Sequence, residues 1–158
     1  MCQLVINSKK LSDRLKELGC MQAKTFKIRM PNFLENDMIR HFIRGYFDGD
    51  GSVGKYMVKS KKAYNCAFSI VSNINFLNDI KPIIELECNI HTSIYKNFNK
   101  NRSIVKSLNS NGNIQVYKFL DWIYKDSIIF LNRKYKKYKD IKTWLTERPY
   151  KKGQKLIT

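Results

Sequence analysis

The sequence predicts an α+β domain, a four-stranded antiparallel sheet with helices on one face. Two observations carry this. From residue 33 onward the hydrophobic period reads helix, strand, strand, helix, strand, strand, helix, helix. Within each strand pair the connection is short, polar and basic, which suits a hairpin rather than a crossover. Helices placed between hairpins cover one side of such a sheet. A length of 158 residues suggests one domain, and 43% hydrophobic residues exclude a disordered composition.

The elements follow in order. Residues 3–6, QLVI, read as a short strand. Ser8 is placed to cap a helix over 9–19, with Leu11, Leu15 and Leu18 on one face and Gly19 ending it. Residues 24–30 read as extended, closed by Pro31. Asn32 stands three before Glu35, a capping-box-like start. The helix expected over 33–48 is apolar on much of its circumference, from Leu34 and Met38 to Phe47, so it is buried or meets another helix. Strands are expected at 52–59 and 64–71, joined by Ser60-Lys61-Lys62. A helix over 73–87 turns Ile74, Leu77, Ile80, Ile83 and Ile84 inward, with Pro82 as a kink or break. Strands at 89–96 and 103–108 flank the loop NFNKNR, and NSNGN at 109–113 reads as a turn. Helices over 114–124 and about 128–141 close the domain near Trp144. In the run RKYKKYK at 133–139, Tyr135 and Tyr138 point inward and the lysines form a solvated face. The chain thus divides into an arm packed on the domain (1–31), the domain (32–145) and a basic tail expected to fray (146–158).

Charge narrows the partners. Lys and Arg number 30 against 13 Asp and Glu, a formal net charge of +17. Such an excess favours a polyanion, with nucleic acid ahead of an anionic membrane surface or a plain solubility role. The sheet face without helices is expected to carry the surplus lysines. The four cysteines form no C-x-x-C pair, and His41 and His91 lack zinc-ligand spacing, so the thiols read as reduced and intracellular. No apolar run approaches the ~18 residues of a membrane span, and the first residues lack a signal-peptide core, which points to a soluble protein.

The stretch IRGYFDGDGSV, residues 43–53, places two of the few acids at the end of a helix. A tight turn explains the glycines. A calcium loop counted from Asp48 fails, since its sixth position is Val53 and its twelfth Lys59. The helix dipole is negative at this end and disfavours carboxylates, so a divalent cation would compensate them. Gly45 and Gly49 share one helix face and allow a second helix to approach closely, which would bring two Asp50 carboxylates together.

Residues 43–51, IRGYFDGDG, resemble the LAGLIDADG motif of homing endonucleases, with Gly45, Asp48, Asp50 and Gly51 at its fixed positions. FLDWIYKDSIIFLNRKYKKY at 119–138 is similar to the family's closing helices, and the resemblance covers about residues 24–140. It implies a LAGLIDADG half-domain whose sheet forms a saddle on double-stranded DNA. It also implies a motif-helix interface, here Met38, Phe42, Gly45, Tyr46 and Gly49. Asp50 falls where the family binds Mg²⁺, for which Mn²⁺ may substitute, with the main-chain carbonyl of Gly51 nearby and Asp48 as a helix-end residue. Family enzymes place a basic residue near the metals after the fourth strand. LNSNGN offers none, which leaves Lys106 as the nearest candidate. One motif implies a homodimer, or a missing preceding half, of which residues 1–30 resemble the end.

The function so implied is a Mg²⁺-dependent, site-specific double-strand DNA endonuclease of the kind that mobilises introns or inteins. The alternatives are a cleavage-deficient binding protein of the same fold, acting on RNA as a splicing maturase or on DNA as a regulator, and an inert fragment. Candidate DNA contacts are Lys59, Lys61 and Lys62 at one hairpin tip and Asn97, Lys100 and Arg102 at the other. Along the strands they are Tyr56, Asn65, Ser69, His91, Ser93 and Tyr95.

Overall fold

The computed structural model describes residues 5–20, 27–61, 63–96 and 105–147. Helix α1 (Lys9–Glu17) precedes α2 (Asn36–Asp50), β1 (Gly51–Val58), β2 (Ala63–Asn73), α3 (Ile74–Cys88), β3 (Ser93–Lys96), β4 (Val105–Asn111), α4 (Asn113–Tyr124) and α5 (Asn132–Thr146). The four strands form one antiparallel sheet in the order β1-β2-β4-β3. Cys66, Phe68, Ile70 and Leu108 point from the sheet into a core closed by Phe47, Leu77, Ile80, Ile84, Phe119 and Ile123. Phe68 stacks on Phe119 at 4.1 Å between ring centroids, and Phe47 meets Phe119 edge-on at 5.1 Å. Alternate strand residues therefore face the helices, and the others face away.

Ser8 accepts the Leu11 N–H at 3.2 Å, and Gly19, at φ +85°, follows the end of α1 as expected. The helix buries no residue, however, and Leu11 and Leu15 stay exposed, so this part of the arm is not packed on the domain. What docks is the stretch just before α2. The Arg29 guanidinium holds Asp79 of α3 with bonds of 2.7 and 2.8 Å, while Ile28 and Met30 pack on the core.

Helix α2 starts at Asn36 with Glu35 as an N-cap that makes no side-chain bond, so the Asn32–Glu35 capping box does not form. It runs on through Asp50, which puts both aspartates in its last turn. Pro82 lies inside an unbroken α3, and Ile74 is exposed rather than inward. Strand β3 begins at Ser93, not 89, because Asn89 (φ 47°) caps α3 and Thr92 bonds back to Glu85. Strand β4 runs to Asn111 because β2 pairs with it that far, and the turn shrinks to Gly112 at φ +116°. Helix α5 starts late, at Asn132, after exposed Ile128 and Ile129, and it extends to Thr146. The expected strand at 3–6 lies partly outside the described residues, and residues 5 and 6 have no regular structure. The frayed tail falls outside them from residue 148. Among the described residues no helix is long and apolar enough to cross a membrane.

Candidate metal centre and nucleic-acid interface

Helix α2 turns Ile43, Arg44 and Phe47 into the core. Its other side shows Met38, Gly45 and Gly49 to solvent, with Phe42 half-buried among them. A Cβ at Gly45 or Gly49 would meet nothing within 4 Å, so this face of the helix is open.

The two aspartates have separate surroundings. The half-buried Asp48 accepts the Tyr124 hydroxyl at 2.5 Å on one oxygen and the Leu131 N–H at 3.0 Å on the other. Burial, and then the Asp48 carboxylate, push the Tyr124 phenol well above its usual range. Asp48 thus ties the end of α2 to the link between α4 and α5. Asp50 is exposed, and among the described residues its side chain makes no hydrogen bond or ion pair. Tyr46, one turn before it on the same helix face, donates to Ser72 Oγ at 2.8 Å and to the Val71 carbonyl at 3.2 Å. Burial raises the Tyr46 pKa, the Ser72 bond offsets part of this, and the Asp50 charge adds to it.

The charge that balances this helix end is one that sequence reasoning missed. Lys134 of α5 is 2% exposed. Its Nζ donates to the carbonyls of Phe47, Asp48 and Gly51, at 3.0 Å to Asp48 and 2.5 Å to Gly51. The ammonium thus reaches the last-turn Asp48 carbonyl and adds a second bond to the Phe47 carbonyl, which also accepts the Gly51 N–H, where the dipole is negative. Burial lowers its pKa, with Arg133 adding to this, while Asp48 and Asp50 pull the other way. Lys137 adds a bond to the Val53 carbonyl at 2.8 Å. The basic run is thus not wholly a solvated face. Lys134, Tyr138, Ile141 and Leu145 form one buried stripe, and that i, i+4, i+7, i+11 spacing was the available signal.

This changes the argument for a cation. The helix end already has a counter-charge, so compensation alone does not call for a metal. The Gly51 carbonyl, expected beside the metal, holds the Lys134 ammonium instead. Asp50 still suits a hard divalent ion, as a solvent-open carboxylate near an uncovered helix face. Among the described residues no three His, Cys, Asp or Glu side chains come together. Mg²⁺ commonly takes one or two carboxylates together with water and phosphate oxygens, so Asp50 fits one ligand position of such a site. Lys106 pairs in register with Ser72, on the helix-covered side of the sheet with Leu108. Ser72, its register partner, accepts the Tyr46 hydroxyl one helical turn before Asp50.

The open side of the sheet differs from expectation. Its residues are Ser52, Gly54 and Tyr56 on β1, then Asn65, Ala67, Ser69 and Val71 on β2. Val105, Ser107, Asn109 and Asn111 on β4 and Ser93 and Tyr95 on β3 also face this way. No described residue there is charged. The described lysines sit elsewhere. Lys55 points to the helix side, over the rings of Tyr64 and Trp144 at 5.3 and 5.0 Å. Lys136, Lys137 and Lys139 line the exposed side of α5. Lys59 is exposed at the end of β1, and Lys61 ends the one-turn helix there. Lys62, Asn97, Lys100 and Arg102 lie outside the described residues. His91 is not on a strand. It stands exposed in the loop before β3, with its N–H on Gln115 at 2.7 Å and its ring 3.6 Å from Glu85.

A family profile described as a LAGLIDADG-like domain matches residues 37–124, more than half of the chain. Among solved structures, the homing endonuclease I-CvuI in complex with its target in the presence of calcium aligns at 15% identity and a TM-score of 0.53. That alignment covers 68% of this chain and 65% of that one. The intron-encoded homing endonuclease I-CeuI complexed with DNA aligns at 14% identity and a TM-score of 0.52, covering 87% and 70%. The LAGLIDADG homing endonuclease I-LtrWI bound to target DNA aligns at 17% identity and a TM-score of 0.51, covering 89% and 46%. A curated relative, the replication factor C small subunit of Methanocaldococcus jannaschii, is 34% identical over 56 residues. Those residues are 35% of this chain and 3% of that protein, so the chain spans only a small part of that relative.

Proposed function

Because the chain belongs to the LAGLIDADG-like domain family, we propose that it is a site-specific, Mg²⁺-dependent double-strand DNA endonuclease, a homing endonuclease acting as a homodimer. The observation that carries this reading is Asp50, a solvent-open carboxylate at the end of a helix whose Gly45 and Gly49 face is uncovered. Two copies joined through Met38, Phe42, Gly45, Tyr46 and Gly49 bring two such carboxylates to one seam. A divalent cation held there with phosphate oxygens supplies charge neutralisation and an activated water for phosphodiester hydrolysis.

The chain's own groups divide the remaining work. Asp50 holds the cation, and Lys134 fixes the backbone on which Asp50 stands. Asp48 keeps the helix end against α4. Tyr46 braces the helix on Ser72 one turn before Asp50, and Lys106, in register with Ser72, is the ammonium offered to the reacting phosphate. The DNA duplex lies on the open side of the sheet, with the hairpin tips as phosphate contacts. Residues 32–145 form the endonuclease unit, and residues 1–31 and 146–158 flank it.

The test offers the full chain a randomised plasmid target library with Mg²⁺ or Mn²⁺. A double-strand cut at a discrete sequence, made by a species that sediments as a dimer on that sequence, is the expected result. Failure to cut any member, or cutting by a monomer, contradicts the reading.

A further inference from the structure

Among the described residues the open side of the sheet is neutral, and its neutral groups form a chemical pattern. The register sets Tyr56 beside Asn65, and Ala67 beside Asn111. It sets Ser69 between Ser52 and Asn109, with Ser93 beyond, and Val71 beside Ser107, with Tyr95 beyond. Three of these residues carry amides, while Ala67, Val71 and Val105 bring aliphatic surface among them. Asn65 Nδ2 donates to the Tyr56 hydroxyl at 3.0 Å, and Asn109 Nδ2 to Ser107 Oγ at 3.1 Å. These two amides are thereby oriented, each with its oxygen and a second N–H left to bond elsewhere.

In the major groove guanine presents two acceptors, which the paired donors of Arg or Lys satisfy. Adenine presents an acceptor beside a donor, which matches the Asn amide, and thymine adds a methyl group that takes aliphatic contact. The described open face holds the second set of partners and none of the first. We propose that the sheet recognises a half-site whose inner base pairs are A·T, with Asn65, Asn109 and Asn111 as the specifying side chains. This rests on the DNA-binding reading above. Attraction to phosphate comes from other surfaces, with Lys59 at the hairpin end and Lys136 and Lys137 on α5 among the described contributors. Affinity and sequence choice thus sit on different parts of the molecule. Neutral side chains release no counterions, so the salt dependence of binding belongs to the lysines.

The experiment selects duplexes from a randomised pool with the full chain in EDTA, which withholds the metal needed for cutting. The expected result is a run of A·T pairs at the inner positions of each half-site. Asn109→Ala relaxes one of those positions by about tenfold to a hundredfold, and leaves the slope of log affinity against log salt unchanged. Asn109→Arg moves that position toward guanine and steepens the slope by about one phosphate's worth. Inner positions fixed as G·C by the wild type, or a slope that flattens with Asn109→Ala, overturn this inference and leave DNA binding standing. A selection that enriches no duplex overturns the DNA-binding reading itself, and this inference with it.

Discussion

Replacing Lys134 by Met removes the ammonium from the end of α2 and keeps a side chain of similar length. The magnitude follows from what the ammonium touches. It donates to three backbone carbonyls while 2% exposed. A hydrogen bond from a charged donor contributes about 1.5–3 kcal/mol net, so three contribute roughly 5–9 kcal/mol. Burying an ammonium costs several kcal/mol, and the substitution recovers that cost. The difference leaves Lys134→Met less stable by about 2–4 kcal/mol. For a domain of this size each kcal/mol moves Tm by roughly 2–4 °C, so the expected loss is about 5–15 °C. Thermal and urea unfolding followed by circular dichroism measure it. Lys137→Met is the control, since that exposed lysine bonds one carbonyl and its loss should stay within about 0.5 kcal/mol. A Lys134→Met chain as stable as the wild type would refute the reasoning. It would mean that the buried ammonium is no better than a thioether at the helix end.

Tyr124→Phe removes the hydroxyl that Asp48 accepts, and a loss of about 1–3 kcal/mol in urea unfolding is expected, with no change meaning that the bond is idle. Gly45→Ala meets no atom within 4 Å and should raise monomer stability by roughly 0.5–1 kcal/mol through helix propensity. Gly45→Leu should abolish self-association in sedimentation velocity, and dimers that persist would place the interface elsewhere. Burial pushes the Glu85 carboxyl up, but bonds from Lys81 and Thr92 outweigh this and hold its pKa below the ordinary 4.5. Its contribution to stability is therefore complete above about pH 4.5 and is lost as the pH falls through the depressed value. Glu85→Gln should flatten the stability profile in that acid window, and an unchanged profile would show that other groups govern it.

The order of helices and strands was legible because each element carries its own period and each hairpin its own turn. Leu77, Ile80 and Ile84 sit in the core where the helix period put them. Boundaries failed where the deciding partner lay far along the chain. Asn109–Asn111 look like turn residues, yet β2 draws all three into the ladder and β3 pairs with Asn109 from the other side. The end of α2 reaches Asp50 with a lysine 84 positions further on bonded to the carbonyls around it, a contact that composition cannot show. The motif identified Asp50 and Asp48, and the structure gives them different surroundings. The lack of charge among the described residues of the open face was not legible because the lysine excess belongs to the whole chain and says nothing of strand faces. Register is a one-residue matter, and it sends Lys55 and Lys106 to the helix side.

Binding and cleavage by wild-type and Asp50→Asn chains, measured side by side on one selected duplex with Mg²⁺, bear most directly on the endonuclease reading. Folding should be unharmed or slightly improved, by about 0.3–1 kcal/mol, since a negative charge leaves a negative helix end. The account predicts that Asp50→Asn binds the duplex within a few-fold of wild type and makes no double-strand cut. Cutting by Asp50→Asn at the wild-type rate would contradict it.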